Sequence, residues 1–167
     1  MGDIRERVLT AEEKNHFVYF SKLGTETLSI PNAQIEPEQI MQSLDSHIDK
    51  LQAALRAGPR VRTDTGQSLD QLALGIGLVF GDQLVRRFGW EWTCIVRDGK
   101  DYYAVVTLDR SLVDYPVEFI KACLDDADAD CTAMLAFNML AGGRIKGLPA
   151  YGYENLMLGV HRIVPKR

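Results

Sequence analysis

Trp90-Glu-Trp-Thr-Cys-Ile-Val-Arg97, then Asp98-Gly99, then Tyr102-Tyr-Ala-Val-Val-Thr-Leu108 is the stretch whose reading decides the fold. Aromatic and β-branched side chains fill both runs and suit a pleated, half-buried surface. The intervening Asp-Gly supplies the positive-φ positions of a tight hairpin turn. The reading is an antiparallel β-hairpin. Side chains alternate along a strand, so Trp90 and Trp92 share one face while Glu91 and Thr93 take the other.

Helices are expected on both sides of this hairpin. Upstream, Ser68 to Phe88 carries Leu69, Leu72, Ile76, Val79 and Phe80 on an apolar stripe and ends at Gly89. Gly75, Gly77 and Gly81 lie inside it, each costing about 1 kcal/mol relative to Ala, so another element is expected to cross closely there. Before it, Pro37 opens a helix whose Ile40, Leu44, Ile48, Leu51 and Leu55 form one apolar face, stopped by Gly58-Pro59. An exposed connector is expected from Arg60 to Gly66. Thr10-Ala-Glu-Glu13 has capping-box spacing, predicting a first helix from Ala11 to Leu23 with Gly24 as its stop. Downstream, Pro116 opens a short helix through Leu124. Asp130 is placed to cap another from Cys131 to Leu140, ended by Gly142-Gly143. Leu156 to Val164 reads equally as a strand or a short helix. Helices before and after a hairpin, without strand-helix-strand alternation, predict an α+β fold: helices flanking a central antiparallel hairpin or small antiparallel sheet, as one domain over residues 1–167.

With 46% hydrophobic and 25% charged residues in a chain of 167, the composition is that of an ordinary globular protein. The net charge of −4 disfavours direct nucleic-acid binding and favours a basic partner. The local basic groups, Arg56 with Arg60 and Arg62, Arg86 with Arg87, and His161-Arg162 with Lys166-Arg167, read as solvated or helix-end charges. Cys94, Cys123 and Cys131 are odd in number and lack CxxC spacing, which argues against a disulfide framework or a zinc site and for reduced thiols. The absence of a signal-like start and of any long apolar run gives the expectation of a cytoplasmic protein without a membrane span.

Gly75-Ile-Gly77-Leu-Val-Phe-Gly81 has a superficial likeness to a dinucleotide fingerprint. However, the third glycine is one residue late, no strand precedes it, and its amides would be consumed inside a helix. Asp126-x-Asp128-x-Asp130 opens like a calcium loop, yet Cys131 and Phe137 stand where that loop needs Gly and Glu. No metal or cofactor is therefore expected. With Asp125, these carboxylates form an acidic segment that could meet a basic partner. His16, His47 and His161 have no visible nucleophile partner, and Cys94 sits mid-strand, so no catalytic residue is assigned. Trp90 and Trp92 become a contact hot spot only if their shared face is uncovered.

Leu74-Gly75…Gly81-Asp82…Phe88-Gly-Trp-Glu-Trp92…Asp98-Gly99 resembles a family of small bacterial domains of unknown function, the DUF 3806 type, over residues 69–124. That resemblance brings no catalytic residues to transfer. In size and acidity the chain also resembles, by general type, immunity proteins of interbacterial toxins. The expectation is thus a non-catalytic cytoplasmic inhibitor that occludes a protein toxin with a basic face through Asp125, Asp126, Asp128, Asp130, Trp90 and Trp92. The alternative is a small-ligand-binding protein or enzyme whose site lies between the hairpin and the glycine-bearing helix. A homodimer formed through that helix is a third possibility.

Overall fold

The computed structural model describes residues 4–31, 34–58 and 66–163; Arg60, Arg62, Lys166 and Arg167 fall outside them, as do the side chains of His161 and Arg162. The elements run β1 (Arg5–Arg7), α1 (Ala11–Thr27), α2 (Pro37–Ala57), α3 (Leu69–Phe88), β2 (Glu91–Arg97), β3 (Lys100–Val106), β4 (Leu112–Asp114), α4 (Pro116–Asp125), α5 (Ala133–Ala141), β5 (Glu154–Asn155) and α6 (Leu156–Ile163). The fold is α+β. Its five-stranded sheet is ordered β1-β2-β3-β4-β5. The β2–β3 hairpin turns at Asp98 and Gly99, whose φ angles of 52° and 72° meet the turn's demand for two left-handed positions. The sheet is mixed rather than wholly antiparallel, because β5 joins β4 in parallel. Of the two alternatives open for Leu156 to Val164, the helix is the one adopted over its described residues, as α6, and the two-residue β5 precedes it.

α3 is the central helix. Ser68 closes a reciprocal capping box with Gln71, and Gly89 ends the helix at φ 71°. Its glycines allow three close approaches. Gly75 meets the α1 backbone at Phe20 and Gly24, Gly77 meets Pro116 and Val117 of α4, and Gly81 meets the Trp92 indole. The crossing implied by these residues is therefore made by two helices and a strand.

Gly24 does not end α1. The helix continues to Thr27 and caps at Leu28, with Gly24 buried where a Cβ would stand 2.2 Å from the Gly75 carbonyl oxygen. Its missing side chain serves helix contact rather than helix termination. α2 buries Ile40, Leu44 and Ile48 as its periodicity predicts, with Met41 and Gln52 buried beside them. α5 begins at Ala133, with Thr132 at its cap position and no side-chain capping bond, so Asp130 does not cap it. The main core joins residues of α2, α3, α4, α5 and α6 to the helix-facing side of the sheet; Ile95, Ala104, Val106 and Val113 form a separate cluster. No described helix is long and apolar enough to cross a membrane.

Candidate functional site

Leu112-Val113-Asp114 continues the sheet for three residues before Tyr115-Pro116 turns the chain into α4. Leu112 belongs to the main core and Val113 to the separate cluster. Strand alternation therefore puts Asp114 on the Leu112 side, and it is register-paired with Val105 of that same core. A carboxyl is thus delivered where the pattern calls for an apolar side chain.

Asp114 has no exposed surface, and neither carboxylate oxygen has a hydrogen-bond partner. Burial pushes its pKa up to about 7, with the neighbouring Tyr115 backbone amide acting in the opposite direction. Desolvation disfavours the charged carboxylate, which explains the direction.

Asp114 lines a cleft of about 580 Å³. One wall is the hairpin end, with Arg97, Asp98 and Tyr102; another is α4, with Glu118, Phe119 and Ala122; Met157 and Leu158 of α6 face them. Tyr102 and Tyr115 meet edge to face, centroids 6.1 Å apart and planes at 79°. The Asn155 side-chain oxygen accepts from the Leu158 amide at 3.1 Å, fixing the first turn of α6. Arg97, the one basic residue among the described lining residues, lies 3.9 Å from Asp98.

The acidic segment lies next to this cleft, but only Asp130 of the four predicted carboxylates lines it. Asp125, Asp126, Asp128 and Asp130 are all exposed. The Asp126 carboxylate accepts from the Asp128 amide at 3.1 Å. The buried Gln52 amide donates to the carbonyls of Cys123 at 2.9 Å and Ala129 at 2.8 Å, tying the segment to α2. Arg56 donates to the Ala127 carbonyl and lies 3.9 Å from Asp128.

The two tryptophans lack the uncovered face that a contact surface needs. Trp90 is 6% exposed in the core. Trp92 is half-buried, edge-on to Phe17 at 4.9 Å, and its indole donates to Asp82 at 2.9 Å. Phe17 of α1 and Gly81 and Asp82 of α3 cover Trp92, while Trp90 belongs to the main core. A second hollow, about 530 Å³, lies mainly along α1, with Phe17 and Val18 in its lining, and reaches Leu78 and Asp82 of α3 and a single hairpin residue, Trp92. Asp82 is already satisfied there by Trp92 and by the Ser21 hydroxyl at 2.8 Å, although burial raises its pKa.

Among the histidines, His16 is exposed on α1; His47 is half-buried, its pKa lowered by burial and Lys50. The Cys94 thiol is buried and raised by desolvation. Cys123, on the cleft wall, neighbours the Cys131 thiol, and their interaction raises Cys123 and lowers Cys131. Since the thiolate is the nucleophile, Cys131 is expected to be the first thiol alkylated by iodoacetamide near neutral pH. Peptide mapping after brief exposure checks this, and earlier labelling of Cys94 would contradict it.

Asp114 and Gln52 are the site residues that the sequence reading missed. Gln52 falls on the predicted apolar side of α2, and a glutamine there was a usable signal. No group of three or more His, Cys, Asp or Glu among the described residues could hold a metal ion. Searches against protein-family models, curated proteins and solved structures found no match for this chain.

Proposed function

We propose that this is a binding protein without chemistry of its own, and that a small molecule occupies the cleft between the hairpin end, α4 and α6. The observation carrying this reading is Asp114, an unsatisfied buried carboxyl beside a cleft whose volume suits a small organic ligand. An unsatisfied buried polar group costs about 1–3 kcal/mol, a cost that a ligand's donor would offset. The reading is of binding because nothing hydrogen-bonded to this carboxyl supplies a nucleophile or a second acid-base group with which it could work.

Ala122 is exposed on the cleft wall, so Ala122→Trp should fill the cleft without disturbing the core. A neutral, anionic and cationic fragment set screened by protein-observed NMR should shift cleft residues, and the hits should disappear in Ala122→Trp. Hits that persist in the filled protein, or a set that shifts no cleft residue, would overturn the assignment.

A second reading, occlusion of a basic-faced protein toxin, is supported by the exposure of Asp125, Asp126, Asp128 and Asp130, with the Asp128 side chain 86% exposed. Charge complementarity across such a surface steers association. A toxin-domain protein recovered in stoichiometric amount, and lost with Asp126→Lys/Asp128→Lys, is the expected result. Unchanged recovery with that double variant counts against the acidic segment.

A further inference from the structure

We infer that the ligand of the cleft is a small organic cation, with an ammonium or amidinium group held by Asp114 and an apolar or aromatic body between α4 and α6. This rests on the cleft being the binding site and adds the chemical class of its occupant.

Charge gives the first argument. The described lining carries Asp98, Asp114, Glu118 and Asp130 against Arg97 alone, and Arg97 is beside Asp98. An anionic ligand would meet repulsion at the rim and again at the base, whereas a cation is attracted at both. The second argument is hydrogen bonding. An ionised carboxylate only accepts, so the two unsatisfied Asp114 oxygens call for a group with several donors, which an ammonium or amidinium supplies. Burial holds the carboxyl near neutral protonation, and a bound cation favours its ionised form.

The third argument is the shape and lining of the walls. Phe119, Met157 and Leu158 give an apolar bed, and the Tyr102–Tyr115 ring pair offers aromatic surface beside the charge. Asp114 itself has no accessible surface, so a cation reaches it when a lining side chain swings aside. Met157, unbranched and 5% exposed, is the wall residue suited to that movement.

The test compares 2-phenylethylammonium, 2-phenylethanol and 3-phenylpropanoate on the full chain by NMR titration. The ammonium should bind at least tenfold more tightly than the alcohol, and the carboxylate more weakly still. Asp114→Asn should remove the tenfold preference, while Glu118→Gln/Asp130→Asn at the rim should keep most of it. In the unsubstituted protein at pH 6, the carbon-13 carboxyl signal of Asp114 should move toward its ionised position with the ammonium and remain in place with the alcohol. That reading does not depend on whether a variant folds. Cleft shifts of equal strength for all three probes would overturn the cation assignment while leaving the cleft as a binding site. Loss of preference in the rim variant alone would remove Asp114 from the contact. No cleft shift with any probe would overturn both the cation and the cleft readings.

Discussion

Gly24→Ala is expected to lower stability by about 3 kcal/mol or more, enough to leave much of the chain unfolded if its reserve is ordinary. The Cβ would stand 2.2 Å from the Gly75 carbonyl oxygen and 2.5 Å from the Gly75 carbonyl carbon. Both are backbone atoms of the central helix, so rotamer changes cannot relieve the overlap. α1 would have to move off α3, opening contacts along the pair. Gly159 in α6 is the internal control, because nothing lies within 4 Å of its Cβ position. There, alanine should be neutral or stabilise by up to about 1 kcal/mol through helix propensity. Urea denaturation of both variants checks the contrast; similar effects from the two would mean that the α1–α3 contact is not close.

The same glycines show how far local sequence carries and where it stops. Gly75, Gly77 and Gly81 announce close approach because their cost inside an apolar helix needs an offset. What approaches is not local information. Gly24 reads locally as a helix stop, and its part in helix contact is fixed by the position of α3, which the local sequence does not display. The Thr10–Glu13 capping box and the Asp98-Gly99 turn were legible because each is closed within four residues of sequence, whereas the Ser68–Gln71 box went unread although it is just as local.

β1 is the opposite case. Arg5-Glu-Arg7 has no strand pattern; it pairs with Arg7↔Cys94 register and is secured by distant charges. Arg7 bridges Glu13 at 2.7 Å and Asp101 at 2.5 Å, while Arg110 and the Tyr153 hydroxyl hold Glu6 at 2.9 and 2.8 Å. Asp114 was hidden for a related reason. An aspartate two residues before proline reads as a turn, and its burial depends on β3 beside it and on α4 and α6 closing above. Of the site foreseen in the sequence, the acidic segment is exposed as its composition suggests, but the tryptophans went to the core. The cleft itself is assembled from segments between Arg97 and Leu158, which no window of sequence displays together.

Asp114 should also make the protein less stable at pH 8 than at pH 5, the reverse of what a salt-bridged carboxylate produces. Its pKa rises from an ordinary 3.8 to about 7 on folding. Between those values the folded chain keeps a proton that the unfolded chain has released, so stability falls as pH rises through this window. Above pH 7 the folded state carries the full burden of a buried, unpaired carboxylate, on the order of 4 kcal/mol. Glu13, held down from 4.5 to about 2 by Arg7, loses its contribution as pH falls between those values, below the pH 5–8 range compared. His47 acts in the opposite direction, being lowered by burial, and Asp82 in the same direction, but both are shared by wild type and variant and cancel on subtraction. Asp114→Asn keeps the shape and removes the charge, so its advantage over wild type should grow by about 2–3 kcal/mol between pH 5 and pH 8. Urea midpoints across that range read this difference directly. A difference independent of pH would mean that Asp114 is ionised and satisfied in the folded protein, and it would remove the unsatisfied carboxyl on which the cleft assignment depends.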